Sequence, residues 1–401
     1  MVNGNSRYLK IFIAGKCSDK PAATLGGIWA IFGENTGMKI AELIRFLESR
    51  APLSLQESYD NAGLICGNAS DEIKAVLVSL DCTEDVVEEA IRKGCNVIVS
   101  HHPIVFKGLK KITGANYVER TVLKAIRNDI ALYAIHTNLD HVNEGVNARF
   151  ATQLGLQNTR ILQPKTGILK KLGVYVPSDH AETLRNALFA AGAGQIGNYS
   201  DCSFNMEGYG TYFAGEGAHP AIGEIGIRHR EPEVRVEVVF PAWIESSVLT
   251  AMKGNHPYEE VAYDLVTLDN SLQTTGAGMV GDLAQEMSEQ DFLQMLKSAM
   301  GLKTLRYSPF VGRRIRKVAI CGGSGSFLLQ SAMRAGADAF VTGDFKYHEF
   351  FDAEGRILIA DIGHYESERF TIDLLGDWIK KKFPTFAVHL TETNTNPINY
   401  L

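Results

Sequence analysis

The chain has 401 residues, of which 45% are hydrophobic and 21% charged, a globular composition long enough for two or three domains. A formal net charge of −6 and the lack of a long apolar run count against a general nucleic-acid binder and a membrane-spanning protein. Six scattered cysteines without a C-x-x-C pair indicate reduced thiols and a cytoplasmic protein rather than a cysteine-based zinc site.

The first 37 residues differ in pattern from the rest of the chain. They are rich in Gly and Ala without clear periodicity, whereas Met38 begins the amphipathic stretch MKIAELIRFLESRAPL. They also lack a signal-peptide cleavage pattern. We therefore expect residues 1–37 to be a non-native or loosely structured extension, with Met38 as the natural start. An ordered N-terminal strand formed by YLKIFIAG is the alternative.

From Met38 onward, strand and helix patterns alternate. The apolar run IKAVLVSLD (73–81) predicts a buried strand, and CTEDVVEEAIRKG predicts a helix that Thr83 caps and Gly94 ends. The next strand, NVIVS (96–100), stops at a pair of histidines, and a further helix leads to the strand before HTNLD. This βαβα order predicts a largely parallel sheet covered by helices.

The C-terminal part repeats this plan. Residues 316–344 follow the same strand–turn–helix–strand order as residues 73–102, and ALYAIHTNLD matches RILIADIGHYESE. We therefore predict an α/β protein with two similar halves, residues 38–164 and 281–401. Between them, residues 165–280 contain two strand–helix–strand patterns, which predicts an inserted ferredoxin-like α+β module. Chance similarity between two generic strand–helix–strand units is the alternative to duplication.

Polar clusters follow four of the predicted strands: SHHP, HTNLDH, TGDFKYHE and DIGHYESE. Because ligands bind beyond the carboxyl ends of strands in open α/β sheets, four such clusters predict one metal-binding unit. Imidazole and carboxylate ligands without sulfur fit two divalent cations such as Zn, Mn, Fe, Co or Ni. The predicted ligands are His101, His102, Asp140, His364 and Glu368.

The spacing of these residues suits two neighbouring ions. His101 and His102 would face opposite ways on a regular strand, but both can turn inward in a loop before Pro103. His364 and Glu368 are four residues apart and share one face if a helix begins there. A carboxylate that bridges two ions is a usual device, and Glu368 is our candidate for it.

Other polar residues near these clusters have two interpretations each. Asp344 and His348 could act as general base or acid beside bound water, or be a structural helix start and a surface histidine. His136 and Asn138 could orient ligands or cap a turn, and Asp60 could line the site or form an Asx turn. The GGSGS turn could cradle phosphate with its amides, but it lacks the lysine of a phosphate-binding loop.

Five of these motifs resemble a known family. YDNAGL, SHHP, HTNLD, GDFKYHE and GHYESE are similar, in this order, to motifs of the Nif-three-like proteins, which are described as dinuclear metal-centre hexamers or GTP cyclohydrolase type-two homologues. The resemblance extends from Met38 to the C-terminus and includes a PII/CutA-like insert found in the longer bacterial members. It implies that the five predicted ligands hold the metals, with Glu368 on the bridging position. It also implies a homohexamer whose metal sites face an internal cavity.

Two kinds of function follow from these observations. The first is a metal-dependent hydrolase acting on a small nucleotide- or pterin-like substrate, with Asp344 or His348 moving the proton, and the resemblance makes GTP ring opening one candidate reaction. The second is a non-enzymatic, metal-loaded regulatory or metal-handling scaffold that binds a metabolite or a partner protein. Nucleic-acid processing is a third interpretation, and the acidic balance of the chain counts against it.

Overall fold

The computed structural model describes residues 37–401, so the predicted N-terminal extension, apart from Gly37, lies outside the described residues. The strands of this region are β1 (Gly63–Cys66), β2 (Ala75–Ser79), β3 (Val97–Ser100), β4 (Ala131–Ala134), β5 (Gln157–Lys165), β6 (Leu169–Pro177), β7 (Phe204–Phe213), β8 (Arg228–Pro241), β9 (Tyr263–Leu268), β10 (Leu272–Met287), β11 (Arg306–Tyr307), β12 (Ile315–Ser324), β13 (Ala339–Gly343), β14 (Leu358–Asp361) and β15 (Ala387–Leu390). The α-helices are α1 (Ile40–Arg50), α2 (Glu84–Arg92), α3 (Tyr117–Arg127), α4 (Thr137–Asp140), α5 (Val146–Gln153), α6 (Ala181–Ala190), α7 (Glu245–Gly254), α8 (Glu289–Met300), α9 (Leu329–Arg334), α10 (His364–Glu368) and α11 (Thr371–Lys382). These elements form a mixed α/β fold, and no helix within residues 37–401 is long and apolar enough to cross a membrane.

The first sheet, sheet A, has the strand order β1-β4-β3-β2-β15. The four strands β4, β3, β2 and β15 are parallel, and β1 is antiparallel at the edge. Strands β2, β3 and β4 are buried along their whole length because α2 and α3 pack on one face and α1 and α11 on the other. The expected parallel sheet with covering helices is therefore present.

The local signals that begin and end α2 act as the sequence predicts. The Thr83 side chain accepts a hydrogen bond from the Val86 amide at 3.4 Å, which satisfies one free donor of the first turn. Gly94 adopts a φ of +69°, which glycine reaches at little cost and which ends the helix. The chain then enters β3, which carries the first two candidate ligands at its end.

The second sheet, sheet B, has the strand order β11-β14-β13-β12-β10-β5. Strands β12, β13 and β14 are parallel, with α5 and α8 packed on one face and α9 on the other. Strand β5 comes from the predicted first half but pairs with β10, while β15 comes from the predicted second half but pairs with β2. Each predicted half thus contributes a strand to the sheet of the other.

The third sheet, sheet C, is built from residues 169–268 alone. Its elements run β6-α6-β7-β8-α7-β9, and its strand order is β7-β8-β6-β9 with every pair antiparallel. Helices α6 and α7 cover one face, where alternate residues such as Leu172, Val174 and Val236 are buried. The opposite face carries exposed apolar side chains, including Phe204 and Met206.

After β15 the chain crosses α2, where the carboxylate of Glu89 holds it. The Glu89 side chain is 2% exposed and accepts hydrogen bonds from Thr391 Oγ1, the Glu392 amide, and both the amide and hydroxyl of Thr393, at 2.6–3.1 Å. Burial alone would raise the pKa of Glu89, but the ammonium group of Lys93, 2.8 Å from Oε1, and these donors hold it well below its usual range. One buried carboxylate therefore anchors the last segment of the chain.

Glu89→Gln is expected to lower the free energy of unfolding by about 2–3 kcal/mol, because several buried donors lose their charged acceptor. The effect depends on pH. Since the pKa is lowered in the folded state, the stabilisation is present above the unfolded value of about 4.3 and is lost as the pH falls through the folded value.

Urea unfolding measures the effect of Glu89→Gln. The same change at Glu88, whose half-exposed side chain pairs with Lys124, is the control and should leave the unfolding midpoint nearly unchanged. Equal stability of the Glu88 and Glu89 variants would contradict the anchoring role of Glu89.

Candidate metal centre

The five predicted ligands come together between the carboxyl ends of sheets A and B. His101 and His102 directly follow β3, and Asp140 ends the short helix α4 after β4. The partners from sheet B are His364 and Glu368, at the two ends of α10 after β14. The helix expected from the four-residue spacing is therefore present, and it turns both side chains toward sheet A.

Three of the ligand atoms form a first cluster. His101 Nε2 lies 3.7 Å from Asp140 Oδ1 and 3.7 Å from Glu368 Oε1. These separations are too long for hydrogen bonds, and neither His101 Nε2 nor Asp140 Oδ1 has a hydrogen-bond partner among residues 37–401, although both atoms are buried. Buried polar atoms without partners are costly, so this cluster has the character of a site that holds a cation.

The remaining atoms form a second cluster beside the first. Glu368 Oε2 lies 3.0 Å from His102 Nε2 and 3.1 Å from His364 Nε2, and the two imidazole nitrogens are 3.3 Å apart. Two ligands that each lie about 2.0–2.2 Å from one zinc-sized ion are separated by similar distances. The two oxygens of Glu368 thus belong to different clusters.

The Nδ1 atom of each ligand histidine is held by an acceptor behind it. His101 Nδ1 donates to the carbonyl of Ile135 at 2.8 Å, and His102 Nδ1 donates to Asp81 Oδ1 at 2.8 Å. His364 Nδ1 donates to Asp344 Oδ2 at 2.7 Å. Because these acceptors place the proton on Nδ1, Nε2 can offer its lone pair to a cation.

The pKa values of His102 and His364, the two partly exposed histidines of the site, show how strongly the cluster attracts positive charge. Burial alone would lower the pKa of His102, but the hydrogen bonds that it donates to Asp81 and Glu368 raise it to about 9. Asp344 and Glu368 likewise outweigh burial at His364 and raise its pKa to about 11. Without a metal these histidines therefore hold protons, and a bound cation would replace that positive charge.

The two buried carboxyl groups are pulled in opposite directions. Burial, with a further contribution from Glu368, raises the pKa of Asp140 to about 7. Burial would also raise the pKa of Glu368, but the adjacent imidazole of His101 and hydrogen bonds from His102 and His364 keep it well below its usual range. Two carboxyl groups and three imidazoles converge here, and this donor set fits divalent cations.

Glycines 322 and 323 let the backbone of β12 pass close to Glu368. Gly323 has a φ of +64°, and a Cβ there would overlap Glu368 Oε1. The Gly322 amide donates to Asn147 Oδ1 at 3.0 Å and the Gly323 amide to Ser367 Oγ at 2.9 Å. These two amides are thus already used and neither is free to bind phosphate, while the two glycines let the GGSGS turn approach Glu368 closely.

The structure separates the two residues predicted as general acid or base. Asp344, at a positive φ of +58°, binds the ligand His364, and strained backbone of this kind is typical of functional sites. His348 is exposed on a short 3₁₀ helix, where its ring packs near Tyr347 and Phe351. It does not line the cavity beside the metal ligands.

Asp60 and His136 form a pair next to the first cluster. His136 Nδ1 donates to Asp60 Oδ1 at 2.7 Å, and the ring of His136 lies 5.3 Å from that of His101. Asp60 also accepts from the amides of Asn61 (2.7 Å) and Thr137 (3.1 Å). Asp60 therefore orients an imidazole at the site without lining the cavity itself. Its bond to the amide of the next residue differs from that of an Asx turn, which joins the second residue on.

The clusters open into a cavity of about 730 Å³. Aromatic rings form much of its wall. The ring of Phe106 lies 6.1 Å from that of Tyr59 and 6.0 Å from that of His136. Phe327, whose side chain is largely exposed, also lines the cavity. Residues 396–398 of the C-terminal tail, which we define as residues 391–401, line another part. A planar ring compound would fit such walls.

The C-terminal tail also reaches a metal ligand through Asp81. Thr395 Oγ1 donates to Asp81 Oδ2 at 2.5 Å, while Asp81 Oδ1 holds His102. Thr395→Val is expected to weaken metal binding at the second cluster about tenfold, because loss of such a supporting bond loosens the ligand. Competition with a coloured chelator measures the affinity.

The control for Thr395→Val is Thr391→Val, which removes a tail hydrogen bond to α2 but does not touch Asp81. It should bind metal as tightly as the unmodified chain. Equal metal affinities in the Thr395 and Thr391 variants would exclude a positioning role for Thr395.

Comparisons with known proteins agree over nearly the whole described region. Residues 38–397 match the family model described as Duf34/NIF3 (NGG1p interacting factor 3). A Bacillus subtilis (strain 168) protein named GTP cyclohydrolase 1 type 2 homolog is 40% identical over 366 residues, which cover 90% of this chain and 98% of that protein. The crystal structure of a Bacillus cereus protein related to NIF3 has a TM-score of 0.79 and 40% identity, covering 91% of this chain and 99% of that one. A Staphylococcus aureus crystal structure has a TM-score of 0.73 and 32% identity with the same coverage.

Proposed function

The chain belongs to the Duf34/NIF3 family, and from this premise we propose that it binds two divalent cations and hydrolyses a small nucleotide- or pterin-like substrate beside them. The ligands would be His101, Asp140 and Glu368 for one ion, and His102, His364 and Glu368 for the other. The observation that carries the proposal is the position of Glu368, whose two oxygens face two separate sets of ligand atoms.

The residues around the clusters would bind and orient the substrate. When bound, two divalent cations supply Lewis acidity, which lowers the pKa of water and offsets negative charge developing on a substrate oxygen. The rings of Tyr59 and Phe106 would stack on a planar base, since both line the cavity. His136, with its Nδ1 held by Asp60, would offer Nε2 to the substrate as a hydrogen-bonding group.

A basic segment that follows a cavity residue supports an anionic substrate. Phe106 lines the cavity, and Lys107, Lys110 and Lys111 come after it in the chain, all exposed and without ion pairs among residues 37–401. Exposed lysines close to a site in this way attract phosphate groups. Because the Bacillus subtilis relative is named GTP cyclohydrolase 1 type 2 homolog, GTP is the first substrate to test.

Metal content and turnover test the proposal together. We expect about two ions per chain by mass spectrometry after loading with Zn, Mn, Co or Fe, and product formation from one member of a nucleotide and pterin panel. Failure to take up any of these metals would refute the metal centre. Saturable ligand binding to the metal-loaded protein without product would show that the protein is a non-enzymatic scaffold rather than a hydrolase.

The same proposal extends to the architecture. We propose that residues 38–164 and 281–401 are duplicated α/β units and that residues 165–280 are an inserted ferredoxin-like, PII/CutA-like domain in a cytoplasmic protein. The βαββαβ order and antiparallel pairing of sheet C support the insert. We further propose a homohexamer, for which light scattering should give six times the mass of one chain.

A further inference from the structure

A second cavity lies on the open face of sheet C and shares no lining residue with the metal centre. Its volume is about 710 Å³, and strands β6, β7 and β8 form its floor. Two loops, residues 214–222 and 258–262, form its walls, and the His219 amide ties them together by donating to Glu259 Oε1 at 2.9 Å. The cavity is thus formed by the strands of sheet C and the loops that connect them.

A buried carboxylate stands at the floor of this cavity. Glu233 is only 9% exposed, and its Oε1 accepts a hydrogen bond from Tyr258 Oη at 3.0 Å. Its Oε2 has no hydrogen-bond or ion-pair partner in the part of the chain that the structure describes. A Cβ at Gly210 would overlap this carboxylate, so the glycine makes room for it. Because Oε2 reaches the surface of the cavity, it can accept a charge-assisted hydrogen bond from a cationic ligand.

The charges around Glu233 also favour a positively charged ligand. The cavity is lined by four carboxylates, Glu207, Glu233, Glu259 and Glu260, against one cation, Arg235. Arg235 is itself neutralised by residues outside the lining, because its guanidinium lies 3.0 Å from Glu237 and 3.7 Å from Asp264. The cavity therefore presents a net negative potential to any ligand that enters it.

The aromatic walls favour an organic cation over a metal ion. Tyr175, Tyr212 and Tyr258 line the cavity, and the rings of Tyr212 and Tyr258 lie 6.1 Å apart at an angle of 62°. Aromatic faces beside a carboxylate bind ammonium groups through cation–π attraction, and they also cover alkyl chains. A hard metal ion would instead require several converging oxygens.

We propose that this cavity binds a small organic cation whose protonated amine donates to Glu233 Oε2 beside the rings of Tyr212 and Tyr258. The alkyl part of the ligand then lies over the apolar floor formed by β7, in a cavity large enough for a linear polyamine. Ligand binding at this site is independent of the proposed hydrolysis at the metal centre.

Calorimetric titration of the full chain with spermidine at constant ionic strength tests the proposal. We expect saturable binding of one molecule per chain, and Glu233→Gln should weaken it at least about tenfold, which corresponds to the loss of a charge-assisted hydrogen bond. Glu182→Gln removes an exposed carboxylate from α6, on the opposite face of sheet C, and should leave the affinity unchanged. Unaltered affinity in Glu233→Gln would overturn the proposal.

Two further measurements keep the test decisive. Tyr212→Ala removes a ring but no charge, so it should weaken spermidine binding even if Glu233→Gln does not fold, as judged by its thermal melt. Magnesium chloride at matched ionic strength should not compete with spermidine. Equal competition by magnesium, or no saturable binding of spermidine to the unmodified chain, would contradict an organic-cation site.

Discussion

Glu368→Gln is expected to release the metal ions from both clusters at once. A glutamine keeps the shape of the side chain, but it replaces one oxygen by an amide nitrogen and removes the negative charge shared by the two sites. Since loss of a partner outside the ligand shell already costs about 10–100-fold in metal affinity, loss of the shared ligand should exceed about 100-fold. Metal content after dialysis should fall from about two ions per chain to nearly none.

The matched control for Glu368→Gln is Glu366→Gln on the same short helix. Glu366 accepts a hydrogen bond from Asn396 at 3.1 Å but contacts none of the ligand atoms, so its variant should keep both ions. Circular dichroism of the two variants separates metal loss from unfolding. A folded Glu368→Gln protein that retained two ions would show that Glu368 does not bridge the clusters.

The convergence of the five candidate ligands could be predicted because they follow strands. Each lies within seven residues of the carboxyl end of a strand, and parallel strands bring such ends to one edge of a sheet. The spacing of His364 and Glu368 further predicted a shared helix face, which α10 provides. These signals are local, and they need no knowledge of which strands pair.

The supporting residues were harder to predict because their partners are distant in sequence. Asp81 lies 21 residues from His102, and Thr395 lies 314 residues from Asp81. Asp81 does end a predicted strand, IKAVLVSLD, so its position was a usable signal. The C-terminal tail has no strand or helix periodicity, and only the fold shows that it contacts both α2 and the cavity.

Much of the secondary structure followed from periodicity and caps, whereas the strand exchange between sheets A and B did not. β5 and β15 have ordinary strand patterns, and nothing in a strand pattern identifies its neighbour. Their partners, β10 and β2, are set by the packing of the whole molecule. Because of this exchange, the two sheets that carry the candidate ligands each contain strands from both predicted halves. The metal centre therefore depends on the folding of the entire unit.

Gly323→Ala is expected to remove metal from both clusters while costing little more stability than an ordinary strained alanine. At a φ of +64° an alanine costs about 1–2 kcal/mol, and its Cβ would also overlap Glu368 Oε1 and lie 3.3 Å from His364 Cε1. The Glu368 side chain would have to turn away from the ligand histidines, which breaks both clusters. Metal content and urea unfolding of the chelator-treated protein measure the two effects separately.

Gly336→Ala measures the cost of backbone strain at a positive φ without any close approach to Glu368. Gly336 has a similar φ of +71°, but a Cβ there meets no atom within 4 Å, so this variant should lose about 1 kcal/mol of stability and keep both ions. Equal stability losses with metal loss confined to Gly323→Ala would show that the glycine in β12 is required by Glu368 rather than by the turn. If Gly323→Ala kept two ions, the carboxylate would have to bind them from another position, and the two-cluster geometry would be wrong.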